Sequence, residues 1–180
     1  MTRYLGIDAS SKSLAFGLIE DDTLIAYGEF FFKSSSFDVR LGESRILTEA
    51  YMPMIFSQAD YIIFERAVMV VNKEVALKLA QMFGAMKSVL VTGPARLVEA
   101  PPMVWQNHIG NPTIRGNVKS AFLKLHPEWK NRSQQEKGIR EHRKNKTREI
   151  VAERFGEWIE SDNITDAIGL AMFGQMELKR

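Results

Sequence analysis

The sequence predicts an α/β fold built on a mixed β-sheet, and three features of the chain indicate it. The turns at residues 10–13 and 20–22 join three consecutive apolar runs, a pattern that favours an antiparallel meander. A helical segment then leads to a continuously apolar run at residues 61–64, as expected for a strand buried on both faces. A strand reached through a crossover helix is normally parallel to its sheet neighbour, so the sheet combines both orientations.

Each predicted element rests on a local pattern. Apolar or alternating runs bounded by turn residues predict strands at residues 4–9, 14–19, 23–32, 61–64 and 97–99. Apolar residues that recur at intervals of three and four predict helices at residues 38–58, from Asn72 onward, and at residues 103–108, 114–125, 147–159 and 164–178. The polar stretch at about residues 127–146 interrupts this pattern. We therefore expect a single domain over residues 1–180 with a basic insertion at about 127–146.

The composition limits the class of protein. The chain has 180 residues, of which 45% are hydrophobic, enough to bury the core of one domain. It contains no cysteine, which excludes disulfides, cysteine-ligated zinc and thiol catalysis. No apolar run is long enough for a membrane span, and no Gly-rich phosphate loop is present. Neither a membrane nor a nucleotide cofactor is therefore expected.

The formal net charge of +2 conceals an uneven distribution. Residues 1–114 carry 10 basic and 12 acidic side chains, and residues 151–180 carry 3 basic and 6 acidic ones. Residues 115–150 carry 11 basic and 4 acidic side chains, a local net charge of +7. Such a run is either a solvated surface or a nucleic-acid binding surface, and the charge pattern alone leaves both interpretations open.

Carboxylates follow two of the predicted strands. Asp8 ends the first strand and Glu65 follows the run at 61–64, so both emerge at one edge of the sheet if the two strands are neighbours. Asp162, Asn163 and Asp166 lie at the start of the last helix, where spacings of three and four place Asp166 on one face with either neighbour. Oxygen donors in this number suit a pair of hard divalent cations, and paired Mg²⁺ ions suit phosphodiester hydrolysis.

The same side chains also have purely structural interpretations. Asp162 is a suitable helix N-cap, with Asn163 close behind it. Asp8 is suited to accept hydrogen bonds from the amides of the turn near Ser10 and Ser11. The spacing of the carboxylates leaves a metal site and these structural roles open.

Several segments resemble one known family. Residues 5–10, LGIDAS, resemble the opening strand of the RuvC family of Holliday-junction resolvases, which belongs to the ribonuclease H-like superfamily. Residues 65–84 follow that family's E-x3-M-x2-N-x3-ALKL-x-Q-x2-G pattern without a gap. Lys146 precedes the helix predicted at 147–155, as the family's lysine near the third acidic motif does, and residues 166–171, DAIGLA, resemble the family's terminal helix. The similar segments are spread over nearly the whole chain.

The resemblance implies a ribonuclease H-like fold with a five-stranded mixed sheet flanked by helices. It also implies a homodimer that places two active sites on a four-way DNA junction and nicks two opposed strands, using two Mg²⁺ or Mn²⁺ ions per active site. The metal ligands that it implies are Asp8, Glu65 and Asp166, with Asp162 or Asn163 as the fourth ligand. Lys146 is then the residue expected nearest to the scissile phosphate.

The sequence departs from the family at three places. Asn163 stands where the family has Asp or His, and an Asn carbonyl carries no charge, so metal would bind more weakly unless Asp162 substitutes. Val68 stands where the best-known bacterial members place an aromatic side chain against the bases, so any sequence preference at the cut site is relaxed or supplied by another residue. The stretch at residues 127–145 is longer and more basic than in compact bacterial members, which favours a phage or phage-derived origin.

Beside a metal site, the basic stretch favours DNA binding, because lysines and arginines offset the repulsion between carboxylates and the DNA backbone. The residues expected to contact DNA are Lys137, Arg140, Arg143, Lys144, Lys146, Arg148, Val68, Met69 and Asn72. The predicted function is a metal-dependent endodeoxyribonuclease that resolves four-way DNA junctions, in the cytoplasm of a bacterial cell or of a phage-infected host. Two alternatives are a ribonuclease H-like nuclease acting on other branched DNA or RNA–DNA hybrids, and a catalytically weak junction-binding module.

Overall fold

The structure is a computed structural model that describes residues 1–66 and 73–178. Three positions predicted to contact DNA, Val68, Met69 and Asn72, lie outside the described residues. The described strands are β1 (Arg3–Ala9), β2 (Ser13–Glu20), β3 (Thr23–Phe31), β4 (Tyr61–Glu65) and β5 (Arg96–Ala100). The described helices are α1 (Phe37–Tyr51), α2 (Lys73–Leu90), α3 (Pro102–His108), α4 (Gly116–Lys124), α5 (Arg132–Phe155) and α6 (Asp162–Leu178).

The strands form one mixed sheet in the order β3-β2-β1-β4-β5. The first three strands pair antiparallel through short turns, as the meander pattern predicts. The strand β4, reached through the crossover helix α1, pairs parallel with β1, and β5 pairs parallel with β4. The predicted five-stranded mixed sheet flanked by helices is therefore confirmed.

The two faces of the sheet bury separate hydrophobic clusters. Alternate residues of a strand point to opposite faces, so Ile62 and Phe64 pack toward α1 and α2, while Ile63 packs toward α3, α5 and α6. None of the described helices is both long enough and apolar enough to cross a membrane. The sheet is thus covered on both sides, and the edge where β1 and β4 end stays available for a site.

Helix α6 lies unusually close to the sheet because two glycines face it. A Cβ atom added to Gly6 of β1 would lie 1.9 Å from the carbonyl oxygen of Ala167, and one added to Gly17 of β2 would lie 2.5 Å from Cγ1 of Ile168. Side chains at these two positions would push the helix away from the strands. The glycines therefore bring the backbone of α6 against β1, next to Asp8.

Helix α5 differs most from the prediction. It runs for 24 residues from Arg132, so most of the predicted insertion is helical, and Lys146 lies inside this helix rather than before it. A capping box between Asn131 and Gln134 starts the helix, and Gly156, with a φ of 73°, ends it. Apolar periodicity predicts only its last part, from residue 147, because the surface of the helix before that point is polar.

Helix α1 also ends earlier than predicted. It stops at Tyr51, and a short 3-10 turn at Phe56–Gln58 replaces the rest of the predicted helix. Pro53 has no backbone N–H to continue the helical hydrogen bonds. The change leaves the crossover from β3 to β4 intact.

Candidate active site

Three carboxylates from three different elements line one cavity of about 500 Å³. Asp8 lies near the end of β1, Glu65 ends β4, and Asp166 lies in the first turns of α6. The parallel register that pairs Ile7 with Phe64 brings Asp8 and Glu65 to the same sheet edge, as the sequence predicts. The cavity is lined by Asp8, Glu65, Gln106, Glu136, Ile139, Arg140, Arg143, Lys144, Thr147 and Asp166.

One face of helix α5 forms the wall opposite the carboxylates. Glu136, Arg140, Arg143 and Thr147 line the cavity at intervals of three and four residues, which places them on one side of the helix. Lys144 lies beside Arg143 on the same wall. The cavity therefore has Asp8, Glu65 and Asp166 on one side, and three cationic side chains together with Glu136 on the other.

The two most deeply placed carboxylates repel each other and their neighbours. Burial raises the pKa of Asp8 well above its usual value, and the charges of Asp166, Glu65 and Glu29 raise it further. Burial also raises the pKa of Asp166 to about 7, with Glu65 and Asp162 adding to the rise while Lys144 and Arg143 oppose it. Within the described part of the chain, neither carboxylate accepts a hydrogen bond or forms an ion pair. Such groups are a common mark of functional sites.

The raised pKa of Asp166 predicts a pH dependence of stability. A carboxyl whose pKa is higher in the folded state than its ordinary 3.8 binds its proton more tightly when folded. Its contribution to stability is therefore complete below about pH 4 and is lost as the pH rises through about 7. We expect the melting temperature of the protein in chelator to fall over this range, and to fall less in Asp166→Asn. Parallel melting curves for both proteins across that range would contradict the assignment.

Glu65 is held in place by a buried indole. Trp105 of α3 is fully buried, and its Nε1 donates a hydrogen bond of 3.0 Å to Oε2 of Glu65. Burial raises the pKa of Glu65, while this hydrogen bond and the charge of Arg143 lower it. The contact cannot be predicted from the sequence, since nothing in the pattern links positions 65 and 105. The structure makes Trp105 a positioning residue for the carboxylate.

Replacing Trp105 by Phe is expected to destabilise the protein by about 1.5–3 kcal/mol, the usual contribution of a hydrogen bond to a charged group. Phe keeps most of the packing and removes the N–H donor. Chemical unfolding in chelator measures the change. The control is the same substitution in a Glu65→Gln background, where the loss should be about half, because hydrogen bonds to neutral acceptors are weaker. Equal losses in both backgrounds would mean that Trp105 acts through packing alone.

Arg143 is a cation of the α5 wall that interacts electrostatically with the carboxylates of Asp166 and Glu65. Its Nη2 donates a hydrogen bond to Oε1 of Gln106, and its Nε is buried without a hydrogen-bond partner in the described part of the chain. Burial lowers the pKa of Arg143, Asp166 and Glu65 raise it, and Arg115 lowers it. The guanidinium thus faces two carboxylates without forming an ion pair with either.

Neither predicted fourth ligand lines the cavity. Asp162 forms ion pairs of 2.5 Å with Nζ of Lys144 and 2.6 Å with Nη2 of Arg148. Asn163 donates from Nδ2 to Oε1 of Glu29 at 2.6 Å. Spacing places both residues near Asp166, but their described partners hold both side chains elsewhere.

The structural interpretations of Asp162 as a helix N-cap and of Asp8 as a turn acceptor are wrong. The hydroxyl of Ser161, not Asp162, accepts the hydrogen bond from the backbone N–H of Ile164 at the start of α6. At the turn after β1, Oγ of Ser10 accepts from the backbone N–H groups of Lys12 and Ser13. Asp8 is therefore free of the turn and faces the cavity.

The residues predicted to contact DNA separate into groups. Arg140, Arg143 and Lys144 line the cavity, whereas Lys146 lies outside its lining and pairs with Glu149 at 3.3 Å. Arg148 is engaged with Asp162, and Lys137 lines a second cavity on another face of α5. The helix thus sorts the basic stretch into side chains that reach the carboxylates and side chains that do not.

The donor set suits divalent cations that prefer oxygen ligands, since Asp8, Glu65 and Asp166 share the cavity and two of these carboxylates have no described partner. A bound cation would relieve their mutual repulsion. Among the described residues, however, no group of three or more His, Cys, Asp or Glu side chains is already arranged to hold a metal ion. The predicted ligands Asp8, Glu65 and Asp166 therefore share a cavity without forming a finished metal centre, and their role stays a prediction.

Comparison with known proteins identifies the fold. The chain is similar to Thermus thermophilus RuvC in complex with a Holliday junction substrate, with a TM-score of 0.73 and 12% identity over 99% of this chain and 96% of that one. A second Thermus thermophilus RuvC structure is similar with a TM-score of 0.69 and 12% identity, over 99% of this chain and 96% of that one. The yeast mitochondrial Holliday junction resolvase is similar with a TM-score of 0.52 and 16% identity, over 99% of this chain and 80% of that one.

At these identities the likeness shows the fold, which is the ribonuclease H-like fold of RuvC. No protein-family model matches the chain, and no curated protein matches its sequence. The activity therefore has to be argued from the cavity itself.

Proposed function

We propose that this protein is a structure-selective endodeoxyribonuclease that resolves four-way DNA junctions by paired symmetric nicks, using two divalent metal ions. One observation carries the proposal: the carboxylates of Asp8, Glu65 and Asp166 face a cationic wall of α5 across one cavity. Phosphodiester cleavage needs carboxylates that bind metal ions and basic side chains that bind the phosphate backbone. The similarity to RuvC, whose structure includes a Holliday junction substrate, suggests which DNA is cut.

Each side chain has a defined task in this proposal. Asp8, Glu65 and Asp166 supply the oxygen ligands for the two Mg²⁺ or Mn²⁺ ions. When bound, such ions stabilise charge on the phosphate and lower the pKa of the attacking water. Trp105 donates a hydrogen bond to Oε2 of Glu65 and leaves its Oε1 without a hydrogen bond from this indole, so that oxygen would be available to a cation.

The cationic wall positions the DNA backbone. Arg143 presents a guanidinium that matches the geometry of a phosphate, and Lys144 adds a second positive charge beside it. The ion pair of Lys144 with Asp162 holds this ammonium at the wall. We infer that these two residues, rather than Lys146, contact the scissile phosphate.

Paired nicks require two cavities. The described part of one chain contains a single cavity with these carboxylates, so we propose that a homodimer places two copies on the two opposed strands of a junction. Analytical ultracentrifugation at the concentrations used for cleavage tests this assembly. A monomer that still makes paired nicks would refute it.

The decisive experiment incubates the pure protein with a labelled immobile four-way junction, a linear duplex of the same sequence and an RNA–DNA hybrid. Each substrate is tested with Mg²⁺, with Mn²⁺ and with chelator, and Glu65→Gln serves as the control. We expect symmetric nicks in the junction only, requiring metal and lost in Glu65→Gln. Equal cleavage of all three substrates would favour a broader ribonuclease H-like nuclease. Tight junction binding without nicks under either metal would favour a binding module.

A further inference from the structure

Arg143 of the α5 wall is tied to the end of helix α3 by a closed ring of three hydrogen bonds. Its guanidinium donates from Nη2 to Oε1 of Gln106. Its main-chain carbonyl oxygen accepts a hydrogen bond of 2.8 Å from Nδ2 of Asn111. The ring closes within the chain that leaves α3, where the backbone N–H of Asn111 donates to the carbonyl oxygen of Gln106 at 2.8 Å. One short segment therefore holds the arginine by its side chain and by its main chain.

The main-chain end of this ring is buried. Asn111 is 3% exposed, and its Nδ2 also donates to Oγ1 of Thr147 at 2.9 Å, one helical turn after Arg143. The preceding Gly110 has a φ of 94°, a conformation that glycine adopts without strain, and it turns the chain so that Asn111 meets α5. A buried amide needs its hydrogen-bond partners, so this turn keeps α5 in place at Arg143.

Helix α3 is a firm support for these contacts because Trp105 anchors it in the core. The indole is fully buried and lies against α6, where a Cβ atom at Gly169 would be 2.7 Å from Cζ3 of Trp105. Its Nε1 donates to Glu65 of the cavity. Trp105 and Gln106 are consecutive, so one residue of α3 holds a carboxylate and the next holds a cation of the opposite wall. The position of Arg143 relative to Glu65 is therefore set through α3.

The charges in the cavity explain why the arginine has to be held. Asp166 and Glu65 attract the guanidinium of Arg143, yet its described side-chain hydrogen bond goes to the uncharged amide of Gln106. A guanidinium free to move would turn toward the carboxylates. It would then neutralise the groups proposed to bind cations and use up its own donors. The amide oxygen of Gln106 holds the guanidinium without neutralising it.

We propose that Gln106 is a positioning residue that holds the guanidinium of Arg143 on the α5 wall, apart from the carboxylates. The consequence for cleavage rests on the proposed function, in which Arg143 contacts the scissile phosphate. Gln106 acts through Arg143 and needs no contact of its own with DNA. Without it, the guanidinium is expected to exchange between positions near Asp166 and Glu65.

The first test needs neither DNA nor metal. Relaxation of ¹⁵N in the Nε–H group of Arg143, identified by the loss of its signal in Arg143→Ala, measures in chelator how firmly the side chain is held. We expect an order parameter of about 0.85 in the wild type, as for rigid groups, and below about 0.6 in Gln106→Leu, as for flexible ones. Gln106→Ala, which adds no apolar volume, serves as a second variant and should give the same result.

The matched control is Asn107→Ala, at the next residue of α3. The Oδ1 atom of Asn107 accepts a hydrogen bond of 3.2 Å from the backbone N–H of Thr113, within the same loop. This variant should keep the wild-type order parameter at Arg143. An unchanged order parameter in both Gln106 variants would overturn the proposal.

The second test is a double-mutant cycle on single-turnover cleavage of the junction. Gln106→Leu should lower the rate at least about tenfold, because a misplacement of about 1 Å costs up to about a hundredfold. Junction affinity in chelator should change less than about twofold, since many other basic side chains bind the backbone. In an Arg143→Ala background, Gln106→Leu should cause less than about a twofold further loss, because no guanidinium is left to hold.

A tenfold loss in both backgrounds would show that Gln106 acts independently of Arg143 and would refute the positioning role. The two tests also separate this inference from the proposed function. If the wild-type protein does not cut the junction, the proposed function fails, and the order parameters still decide whether Gln106 holds Arg143.

Discussion

Replacing Asp8 by Asn is expected to reduce junction cleavage at least about a thousandfold, since metal ions in such sites stabilise the transition state by several kcal/mol. The substitution keeps the shape of the side chain and removes one charged ligand. The same change should raise the melting temperature in chelator, because burial and neighbouring carboxylates disfavour the ionised form of Asp8 and raise its pKa. Single-turnover cleavage and thermal melting give the two readings.

The matched control is Glu136→Gln, another carboxylate of the same cavity. Glu136 lies on α5, is exposed and pairs with Arg132 at 2.7 Å. It should tolerate the change with less than about a threefold effect, as exposed ion pairs contribute little. Comparable losses in both variants would show that cleavage depends on the total negative charge of the cavity. A lower melting temperature in Asp8→Asn would contradict the electrostatic reasoning.

The second large effect is expected at Arg143. Arg143→Ala should lower single-turnover cleavage about a hundredfold, the usual consequence of removing one preorganised donor that stabilises charge at the reacting phosphate. Its effect on junction affinity should be small by comparison, because many other basic side chains hold the backbone. Binding is measured in chelator and cleavage with Mg²⁺, so the two quantities are separated.

Lys146→Ala is the control for Arg143, on the same helix and of the same charge. Its side chain pairs with Glu149 and lies outside the cavity lining. We expect less than about a threefold change in cleavage. If Lys146→Ala were the more damaging variant, the lysine suggested by family resemblance would be the reacting cation, and the proposed role of the α5 wall would be wrong.

The sheet could be predicted from the sequence because its signals are local and apolar. Turn residues mark the meander, and the run before Glu65 has the composition of a strand buried on both faces. Parallel pairing of β1 and β4 follows from the crossover, and it brings Asp8 and Glu65 to one edge. The sequence therefore predicts that these two carboxylates lie at the same edge of the sheet.

The first part of helix α5, residues 132–146, could not be found by apolar periodicity, because most of the surface of the helix is polar and exposed. The signals that would have found it are its ends: the capping pair Asn131 and Gln134, and the left-handed Gly156. With those limits fixed, the intervals between Arg140, Arg143 and Thr147 predict one shared face. The charge count shows that the stretch is basic, but only the position of the helix shows which basic side chains form the wall of the cavity.

The partners of Asp162 could not be predicted by any spacing rule. Positions 162 and 166 share a face of α6. Whether the side chain of Asp162 enters the cavity or forms ion pairs depends on Lys144 and Arg148, which lie on another helix. Such contacts are tertiary, and no pattern within one element encodes them. The same limit hid the contact between Trp105 and Glu65.

The close approach of α6 to the sheet at Gly6 has a consequence for how tightly the site is built. Asp8 lies two residues after Gly6 on β1, and Asp166 lies next to Ala167, whose carbonyl oxygen would be only 1.9 Å from a Cβ atom at position 6. The separation of the backbones that carry Asp8 and Asp166 is therefore set by main-chain contact between β1 and α6. Any larger residue at position 6 acts as a spacer that widens the gap. If the proposed cations bind in the cavity, this one glycine sets the backbone distance that their ligands have to span.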